Sequence, residues 1–492
     1  MNSVNSRNDV MHDGVFRNGL IYDGSGHAPF FGEVAIDGDR ITSVGVPGAI
    51  PAGSGRFEQN LAGLALAPGF IDSHTHDDRL VLDAPDMLPK ISQGITSVIV
   101  GNCGISLAPV TFSEGSPPPP LTLLGDETHY RFSSFSDYAN EVRHAVPAVN
   151  VAALVGHSSL RLATMKDVVR EADAEETAAM CAHAEEAMRH GAAGFSTGLF
   201  YPTNAPATAR EVTAVAAQFA RHGGVYATHM RDEFEHVLKS IEESLLTAEA
   251  ADIPLIVSHH KCAGVSNWGR TRETLPMLES TANRQPVHLD VYPYTAGSTY
   301  LRMDLVTDTY PIRISWSKPY PQMKGRFLVD IAAEWDVDLH SAAARLQPAG
   351  AIYFQMDEED VQRILASELA MIGSDGLPHD AHPHPRLWGA FPRVIGHYAR
   401  ELQLFPIETA IYKMTGLPAE VYRLTNRGRI AAGAFADLVV FDPARIIDRA
   451  TYDDPIQRAD GIVQVFVNGV PSYTPDGGVE CRAGRLIGGN NN

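Results

Sequence analysis

Residues 68–78, PGFIDSHTHDD, place a histidine pair directly after a short, uninterrupted apolar run. Seven more runs in the middle of the chain also end in polar residues: TSVIVGNCG from Thr96, VNVAALVGH from Val149, GAAGFST from Gly191, GVYATHM from Gly224, IPLIVSHH from Ile253, VHLDVYPY from Val287 and MIGSDG from Met371. Continuous apolar runs, unlike alternating ones, are typical of β-strands that are covered on both faces. The middle of the chain is therefore predicted to hold eight buried strands.

Helices are predicted between most of these strands. Residues 173–190 carry Ala, Met and Cys at helical spacing, with Asp173 at the N-cap position and Gly191 as the stop. Residues 210–221 form another such segment. Alternating strands and helices predict an α/β protein with a closed parallel (β/α)8 barrel, a TIM barrel, in which the polar strand ends meet at one face.

Both ends of the chain show alternating β patterns outside this barrel. VFRNGLIYDGSG and FFGEVAIDGDRITSVG precede it, and GRIAAGAFADLVVFDPARI and GIVQVFVNGV follow it. Neither end alone offers enough strands for independent stability. We therefore expect residues 1–67 and 427–492 to form one small β-sandwich rather than two unrelated extensions, which leaves residues 68–426 for the barrel.

The link between the seventh and eighth predicted strands is much longer than a βα loop needs. It covers residues 296–358 and includes the Pro-rich, aromatic PIRISWSKPYPQ and the helical pattern RFLVDIAAEW. An insertion at the carboxyl face of a barrel most often covers the active site, so this one is predicted to be a lid.

Composition argues against several classes of partner. The chain has 492 residues, a hydrophobic share of 44% and a net charge of −20. Without clusters of Lys and Arg, this charge argues against nucleic acid and acidic membrane surfaces. No apolar run approaches the roughly 20 residues of a membrane span. Four scattered cysteines and the polar start MNSVNSRNDVMHDG predict a cytoplasmic location without a signal peptide, and the oligomeric state stays open.

Candidate metal ligands stand at the ends of the predicted strands. His74 and His76 are two residues apart on strand one, so both imidazoles can face one metal. Cys103 stands between glycines in GNCG after strand two, where it is either a thiolate ligand or an inert buried thiol. His229 ends strand five and His259 ends strand six.

Three of these residues predict a catalytic zinc site. Cys103, His229 and His259 form a three-ligand set with room for water, whereas structural zinc sites are usually closed by four protein ligands. Zinc lowers the pKa of bound water and polarises a carbonyl group. Asp375, in GSDG after strand eight, is a candidate ligand and the candidate general base, then acid, for the leaving nitrogen. The predicted chemistry is amide hydrolysis.

At this point the chain resembles the amidohydrolase superfamily and, within it, the N-acyl-D-amino-acid deacylases (D-aminoacylases). The resemblance covers nearly the full length. It is carried, in sequence order, by GFIDSHTHDD, GNCG, GFSTGLFYPTNAPAT, YATHMRDE, SHHK, DVYPYTAGST, GSDG and HPRLWGAFPRVIG. Many relatives bridge two metals with a carboxylated lysine on strand four, but strand four reads GAAGFSTG here and has no lysine. The resemblance therefore implies a bridging cysteine and argues against dihydroorotase or hydantoinase activity.

The resemblance also implies roles for individual residues. It implies a tight zinc on Cys103, His229 and His259, and a second, weaker metal position that uses His74, His76, the shared Cys103 and Asp375. It implies that the α-carboxylate of the substrate is bound by Lys261, Tyr292, Ser298 and Arg386, with barrel packing as the alternative for Tyr292. Arg302 either selects an acidic side chain, as in the D-glutamate and D-aspartate members, or is a solvated loop charge.

The function expected from the resemblance is zinc-dependent hydrolysis of small-molecule N-acyl-D-amino acids to a carboxylate and a free D-amino acid. Two alternatives remain. One is hydrolysis of a related N-acyl, N-carbamoyl or D-aminoacyl compound. The other is a catalytically silent barrel used for metal or ligand sensing, against which the presence of Asp375 argues. Stereochemistry, the preference for apolar or acidic side chains, and the number of working metals stay open.

Overall fold

The computed structural model describes residues 11–112 and 115–488. The prediction about a signal peptide concerns mainly residues 1–10, which lie outside this part of the chain. In the described residues the strands are β1 His12–Ile21, β2 Phe30–Asp37, β3 Arg40–Gly45, β4 Gly55–Asn60, β5 Ala65–Pro68, β6 Phe70–Asp72, β7 Ile95–Val100, β8 Val110–Thr111, β9 Arg131–Phe132, β10 Asn150–Gly156, β11 Gly194–Gly198, β12 Val225–His229, β13 Leu255–Val257, β14 Val287–Val291, β15 Gly297–Tyr300, β16 Ile312–Ser317, β17 Ala349–Tyr353, β18 Ala370–Ile372, β19 Leu438–Phe441, β20 Ile462–Val467, β21 Val470–Thr474 and β22 Gly478–Val479.

The α-helices of the same residues are α1 Leu80–Asp83, α2 Leu88–Ile91, α3 Phe135–Ala145, α4 His157–Thr164, α5 Ala174–Arg189, α6 Ala209–Ala220, α7 Val237–Ala251, α8 Thr271–Ala282, α9 Leu328–Glu334, α10 Leu339–Leu346, α11 Glu358–Ala366, α12 Arg386–Arg393, α13 Ile407–Met414 and α14 Gly416–Val421. Short 3₁₀ turns cover Leu121–Leu123, Glu127–His129, Val265–Asn267, Met303–Leu305 and Pro321–Met323, and a π-helical segment covers Val394–Glu401.

Eight strands form the predicted parallel barrel. Their order in the sheet is β6-β7-β10-β11-β12-β13-β14-β18, with every neighbouring pair parallel. Ser73, directly after β6, donates its backbone N–H to Ile372 of β18 at 3.2 Å and so links the first strand to the last. The eight predicted runs and the (β/α)8 fold are confirmed.

Local signals fix the connecting helices as well. Helix α5 begins after Asp173, whose carboxylate accepts from the backbone N–H of Glu176 at 2.9 Å while the Glu176 carboxylate accepts from Asp173 at 2.9 Å. This reciprocal capping box satisfies two backbone donors that the first helical turn leaves free. The two helices predicted from periodicity are confirmed to within a residue at each end.

The two ends of the chain share one nine-stranded sheet, in the order β22-β21-β20-β19-β5-β1-β2-β3, with β4 paired to β1. The ends join where β5 and β19 pair antiparallel. Phe16 of β1 lies 5.1 Å from Phe466 of β20, ring centroid to centroid, although three strand steps separate them, so the sheet curls and packs on itself. The boundaries at residues 67/68 and 426/427 remain our proposal.

The long link after β14 forms a small unit of its own. Strands β15, β17 and β16 make an antiparallel sheet, on which α9 and α10 pack around Ile314, Leu328 and Leu346. Helix α9 lies within the helical pattern noted in the sequence. No helix within residues 11–112 and 115–488 is both long enough and apolar enough to cross a membrane.

Candidate metal centre and substrate cavity

Cys103 lies at the centre of the strand-end face. Its Sγ is 3.2 Å from His74 Nε2 and 3.2 Å from His259 Nε2, and all three residues are buried. Gly101 directly follows β7, and a Cβ at that position would lie 2.1 Å from the carbonyl oxygen of Leu154. The backbone before the cysteine therefore passes too close to its neighbour for any other residue type.

Two groups of potential ligands share this thiol. The three-residue group consists of Cys103, His229 and His259, and the four-residue group of His74, His76, Cys103 and Asp375. Within each group the ligand atoms lie within 4.8 Å of one another. All six candidate ligands from the sequence are thus brought together by the fold.

Three of the candidates have unusual backbone conformations. Cys103, His259 and Asp375 adopt φ of 52°, 35° and 48°, in the left-handed region that non-glycine residues rarely occupy. Each stands just after its barrel strand. Such strain persists only when the surrounding structure enforces it, and it concentrates at functional sites.

Two buried carboxylates that the sequence analysis missed lie against the histidines. Asp290, in β14, lies 3.0 Å from His74 Nδ1 and accepts the backbone N–H of His259 at 2.8 Å. Glu233 Oε1 lies 3.1 Å from His259 Nδ1. A carboxylate on one ring nitrogen leaves the other free to face a metal. Both acids stand in quoted motifs, DVYPYTAGST and YATHMRDE, at or just after the carboxyl end of a barrel strand, and that position was the available signal.

The donor set fits zinc. Among the described residues neither buried ring nitrogen of His229 has a hydrogen-bond partner, and Nε2 lies 3.4 Å from Glu233 without hydrogen-bond geometry. A buried imidazole without partners is costly unless something else binds it. Thiolate and imidazole ligands of one tetrahedral zinc lie about 3.5 Å apart, close to the 3.2 Å between Cys103 and His259.

The electrostatics favour an ionised thiol and carboxylate. Burial alone would raise the pKa of Cys103, but His74 and His259 outweigh it and hold that pKa well below its ordinary value. Burial likewise opposes ionisation of Asp375, yet Arg386 and His76 hold its pKa well below the usual range. A deprotonated thiol is the form that binds a metal.

A cavity opens above the candidate metal ligands. His76, Cys103, His229, His259 and Asp375 line its inner end. Lys261, Tyr292 and Ser298 line its wall. The remaining wall combines apolar and aromatic side chains with three polar ones: Leu123, Phe200, Tyr201, Phe234, Leu305, Tyr353 and Leu377, and Glu233, Thr299 and Gln355. The insertion contributes residues 297–299, Leu305 and Tyr353, so it forms part of this wall.

The residues expected to bind a carboxylate occupy two different positions. Lys261 faces the cavity, with its Nζ 2.7 Å from Glu233 Oε1 and 2.7 Å from His259 Nδ1. Arg386 instead lies behind Asp375, fully buried, with Nη1 2.8 Å from Asp375 Oδ2 and the guanidinium 4.4 Å from the Tyr292 ring centre. Its direct neighbour in the structure is thus the candidate proton carrier.

Arg302 lies outside this group. Its guanidinium makes two hydrogen bonds to Asp304, at 2.6 and 3.0 Å, and donates to the Phe200 carbonyl at 2.9 Å. It also stacks 3.8 Å above the Phe200 ring, which in turn stacks on His229 with a centroid distance of 4.9 Å. Its charge is therefore already paired.

Comparison with known proteins agrees with the motifs. The sequence pattern described as the amidohydrolase family matches residues 58–341 and 322–473. The chain is 51% identical to the D-aminoacylase of Alcaligenes xylosoxydans xylosoxydans over 475 residues, 96% of this chain and 97% of that protein. It is 48% identical to the N-acyl-D-aspartate deacylase of the same organism, over 93% of this chain and 91% of that protein.

A solved structure extends the match to three dimensions. The N-acyl-D-glutamate deacylase of Bordetella bronchiseptica, complexed with zinc and a phosphonate that mimics the tetrahedral reaction intermediate, superposes with a TM-score of 0.92 at 42% identity. The alignment covers 97% of this chain and 99% of that one. These matches confirm the resemblance carried by the motifs, and the chain belongs to the amidohydrolase family.

Proposed function

We propose that this protein is a zinc-dependent hydrolase that cleaves the amide bond of N-acyl-D-amino acids and releases a carboxylate and a free D-amino acid. The observation that carries the proposal is the sharing of the Cys103 thiol by two donor groups, with Asp375 and Lys261 at the same cavity. The similar proteins, a D-aminoacylase and two N-acyl-D-amino-acid deacylases, match this chain over nearly their full length and support the same substrate class.

Zinc is assigned to the three-residue group as the tight site and to the four-residue group as a second, weaker site. Cys103, His229 and His259 would hold the tight ion through one thiolate and two neutral nitrogens. When bound, zinc lowers the pKa of water and polarises the substrate carbonyl. Asp290 contacts His74 Nδ1, and Lys261, held by Glu233, contacts His259 Nδ1, so the Nε2 atoms of both rings are left to face the ligand positions.

Asp375 is assigned the proton transfer. Its Oδ2 is occupied by Arg386 at 2.8 Å, while its Oδ1 faces His76 Nε2 at 3.2 Å and the inner end of the cavity. In the reaction Oδ1 accepts the proton of the attacking water and then delivers it to the leaving nitrogen. Arg386 favours the ionised form that must receive this proton.

The substrate carboxylate is assigned to the side of the cavity that carries Lys261, Tyr292 and Ser298. Lys261 is the cation that reaches the cavity directly, and the hydroxyls fix the orientation of the carboxylate. Arg386 contributes from behind, through Asp375 and the ring of Tyr292. The binding roles of Lys261, Tyr292, Ser298 and Arg386 remain part of the proposal.

We further propose a preference for apolar side chains. The wall is rich in aromatic and aliphatic groups, its lysine, Lys261, is assigned to the α-carboxylate, and Arg302 is not among the described residues that line this cavity. A side-chain carboxylate in a protein of net charge −20 needs an available cation. The cytoplasm is the proposed location, because Cys103, Cys181, Cys262 and Cys481 are all unpaired.

The test is hydrolysis of N-acetyl-D-methionine and N-acetyl-L-methionine by the zinc-loaded protein and by the same protein after removal of zinc. We expect turnover of the D compound, little turnover of the L compound, and recovery of activity when zinc is restored. Equal turnover of both enantiomers would contradict the stereochemical part. Hydrolysis of N-carbamoyl compounds in place of N-acetyl compounds would favour the alternative substrate class.

A further inference from the structure

Lys90 is a fully buried cation outside the metal ligands and the cavity wall. It lies in α2, and its Nζ is 2.9 Å from Asp72 Oδ2, 3.2 Å from Asp77 Oδ2 and 2.7 Å from Ser374 Oγ. All four of these residues are completely shielded from solvent. Burying an ammonium group and two carboxylates is expensive, so the arrangement calls for a role.

The position of Lys90 suggests that role. Asp72 ends the first barrel strand and Ser374 follows the last one, so Lys90 bridges the line along which the barrel closes. Asp72 also accepts the backbone N–H of Ser374 at 2.7 Å across the same line. Three side chains from both sides of the closure therefore converge on one ammonium group.

The same three side chains flank the four-residue group. Asp72 and Asp77 stand on either side of His74 and His76, and Ser374 directly precedes Asp375. A shift of any of these neighbours would be transmitted along one or two peptide units to a ligand. Without Lys90, two buried carboxylates would repel each other at the base of this segment.

We infer that Lys90 is a positioning residue that fixes the spacing between the His74/His76 segment and Asp375, and thereby sets the zinc affinity of the four-residue group. The inference rests on the zinc sites of the proposed function. It predicts an effect on the second zinc, whereas the three-residue group, which lacks these neighbours, keeps its affinity.

A matched control exists in the same barrel. Lys413 is also buried, and its Nζ donates to the carbonyls of Ser367 and Ala370. Ala370 begins β18, whereas Ser374 follows the other end of that strand. Lys413 thus stabilises the end of β18 remote from the metal ligands. A variant there reports the general cost of losing a buried lysine.

The test compares Asp77→Asn with the double variant Lys90→Met plus Asp77→Asn. The double variant has the same formal charge in this cluster as the natural protein, because one cation and one carboxylate are removed together, which favours folding. Metal-free proteins are titrated with zinc against a chromogenic chelator, and urea unfolding is measured separately. We expect the second zinc to bind about ten- to a hundredfold more weakly in the double variant than in Asp77→Asn, with the first unchanged.

Several results would overturn the inference. One is an equal affinity for the second zinc in Asp77→Asn and in the double variant. Another is that Lys413→Met weakens the second zinc, relative to the natural protein, as much as the double variant weakens it relative to Asp77→Asn. If the double variant does not fold, Ser374→Ala decides, because it keeps both carboxylates and removes the contact of Lys90 to the last strand, together with a longer bond of 3.3 Å that Ser374 Oγ accepts from Gly376. We expect a severalfold loss of second-zinc affinity, and an unchanged affinity would reject the role of Lys90.

These outcomes are separable from the proposed function. Two zinc ions without hydrolysis of N-acetyl-D-methionine would reject the function and leave the Lys90 comparison intact. Full hydrolysis with no second zinc in the natural protein would reject the inference and leave the function intact.

Discussion

The two ligand groups that share Cys103 differ in what stands behind them. The three-residue group is backed by Glu233 and opens towards the cavity wall, next to Lys261. The four-residue group is backed by Asp290 and contains Asp375, whose other oxygen is held by Arg386. In the proposed function, the first group holds the tight zinc beside the substrate, and the second holds the weaker zinc and supplies the proton carrier. The Cys103 sulfur is the one ligand atom that the two groups share.

The largest effect is expected where the groups overlap. Cys103→Ala removes the shared ligand, so both zinc positions should be lost together with activity. Zinc content after dialysis is the measurement, and Cys181→Ala, which alters a half-buried cysteine on α5, is the control. One retained equivalent of zinc with near-normal turnover would show that Cys103 is not a ligand.

Single-group variants sharpen the same comparison. His229→Ala should remove the tight zinc, whereas His74→Ala should keep it and weaken only the second position, since each histidine belongs to one group. Zinc titration of both proteins gives the answer. The reverse order of affinities would exchange the assignments of the two groups.

Asp375→Asn should separate metal binding from chemistry. The three-residue group stays intact, so the tight zinc should remain, while turnover falls by about 10²–10⁴-fold through loss of the proton acceptor. Zinc content and kcat for N-acetyl-D-methionine are measured on the same sample. Retained zinc with retained turnover would exclude Asp375 as the proton carrier.

A smaller effect is expected at Lys261. Lys261→Met removes one charge-assisted hydrogen bond to the substrate, worth about 1.5–3 kcal/mol, so kcat/KM should fall by about ten- to a hundredfold. The loss should be similar for N-acetyl-D-methionine, N-acetyl-D-leucine and N-acetyl-D-glutamate, because every substrate carries the α-carboxylate. A loss confined to one side chain would place Lys261 in the side-chain subsite.

The smallest effect is expected at Asp304. Its side chain is 63% exposed, so its pair with Arg302 is worth about 0–1 kcal/mol. Asp304→Asn should free Arg302 and raise the kcat/KM ratio of N-acetyl-D-glutamate to N-acetyl-D-methionine by up to about fivefold. Arg302→Met serves as the control and should not raise that ratio. An unchanged ratio in Asp304→Asn would return Arg302 to a purely structural role at Phe200.

The convergence of the candidate metal ligands was predictable because the fold itself gathers them. In a parallel barrel the carboxyl ends of all strands meet at one face, so polar residues after eight apolar runs must converge. His74, His76, Cys103, His229, His259 and Asp375 were found from this rule together with the chemistry of each residue type. No contact needed to be known in advance.

The supporting residues were not predictable in the same way. Asp290, Glu233 and Lys90 are ordinary charged residues in the sequence, and their importance comes from side chains that approach from distant segments. Arg386 was expected to contact the substrate carboxylate. In the structure its guanidinium contacts Asp375 and the ring of Tyr292, and these contacts depend on tertiary packing. The pairing of Arg302 with Asp304 also depends on the fold of the insertion.

The sequence by itself determined the barrel, the identity of the candidate ligands and the family. The reason is that apolar runs, ligand residue types and motifs are all properties of short segments of the chain. Tertiary structure alone decided which candidate ligands lie around the Cys103 sulfur, which charged groups contact the histidines and which cation lines the cavity. These contacts join residues that are far apart in sequence. They depend on the closure of the barrel between its first and last strands and on the pairing of buried charged side chains.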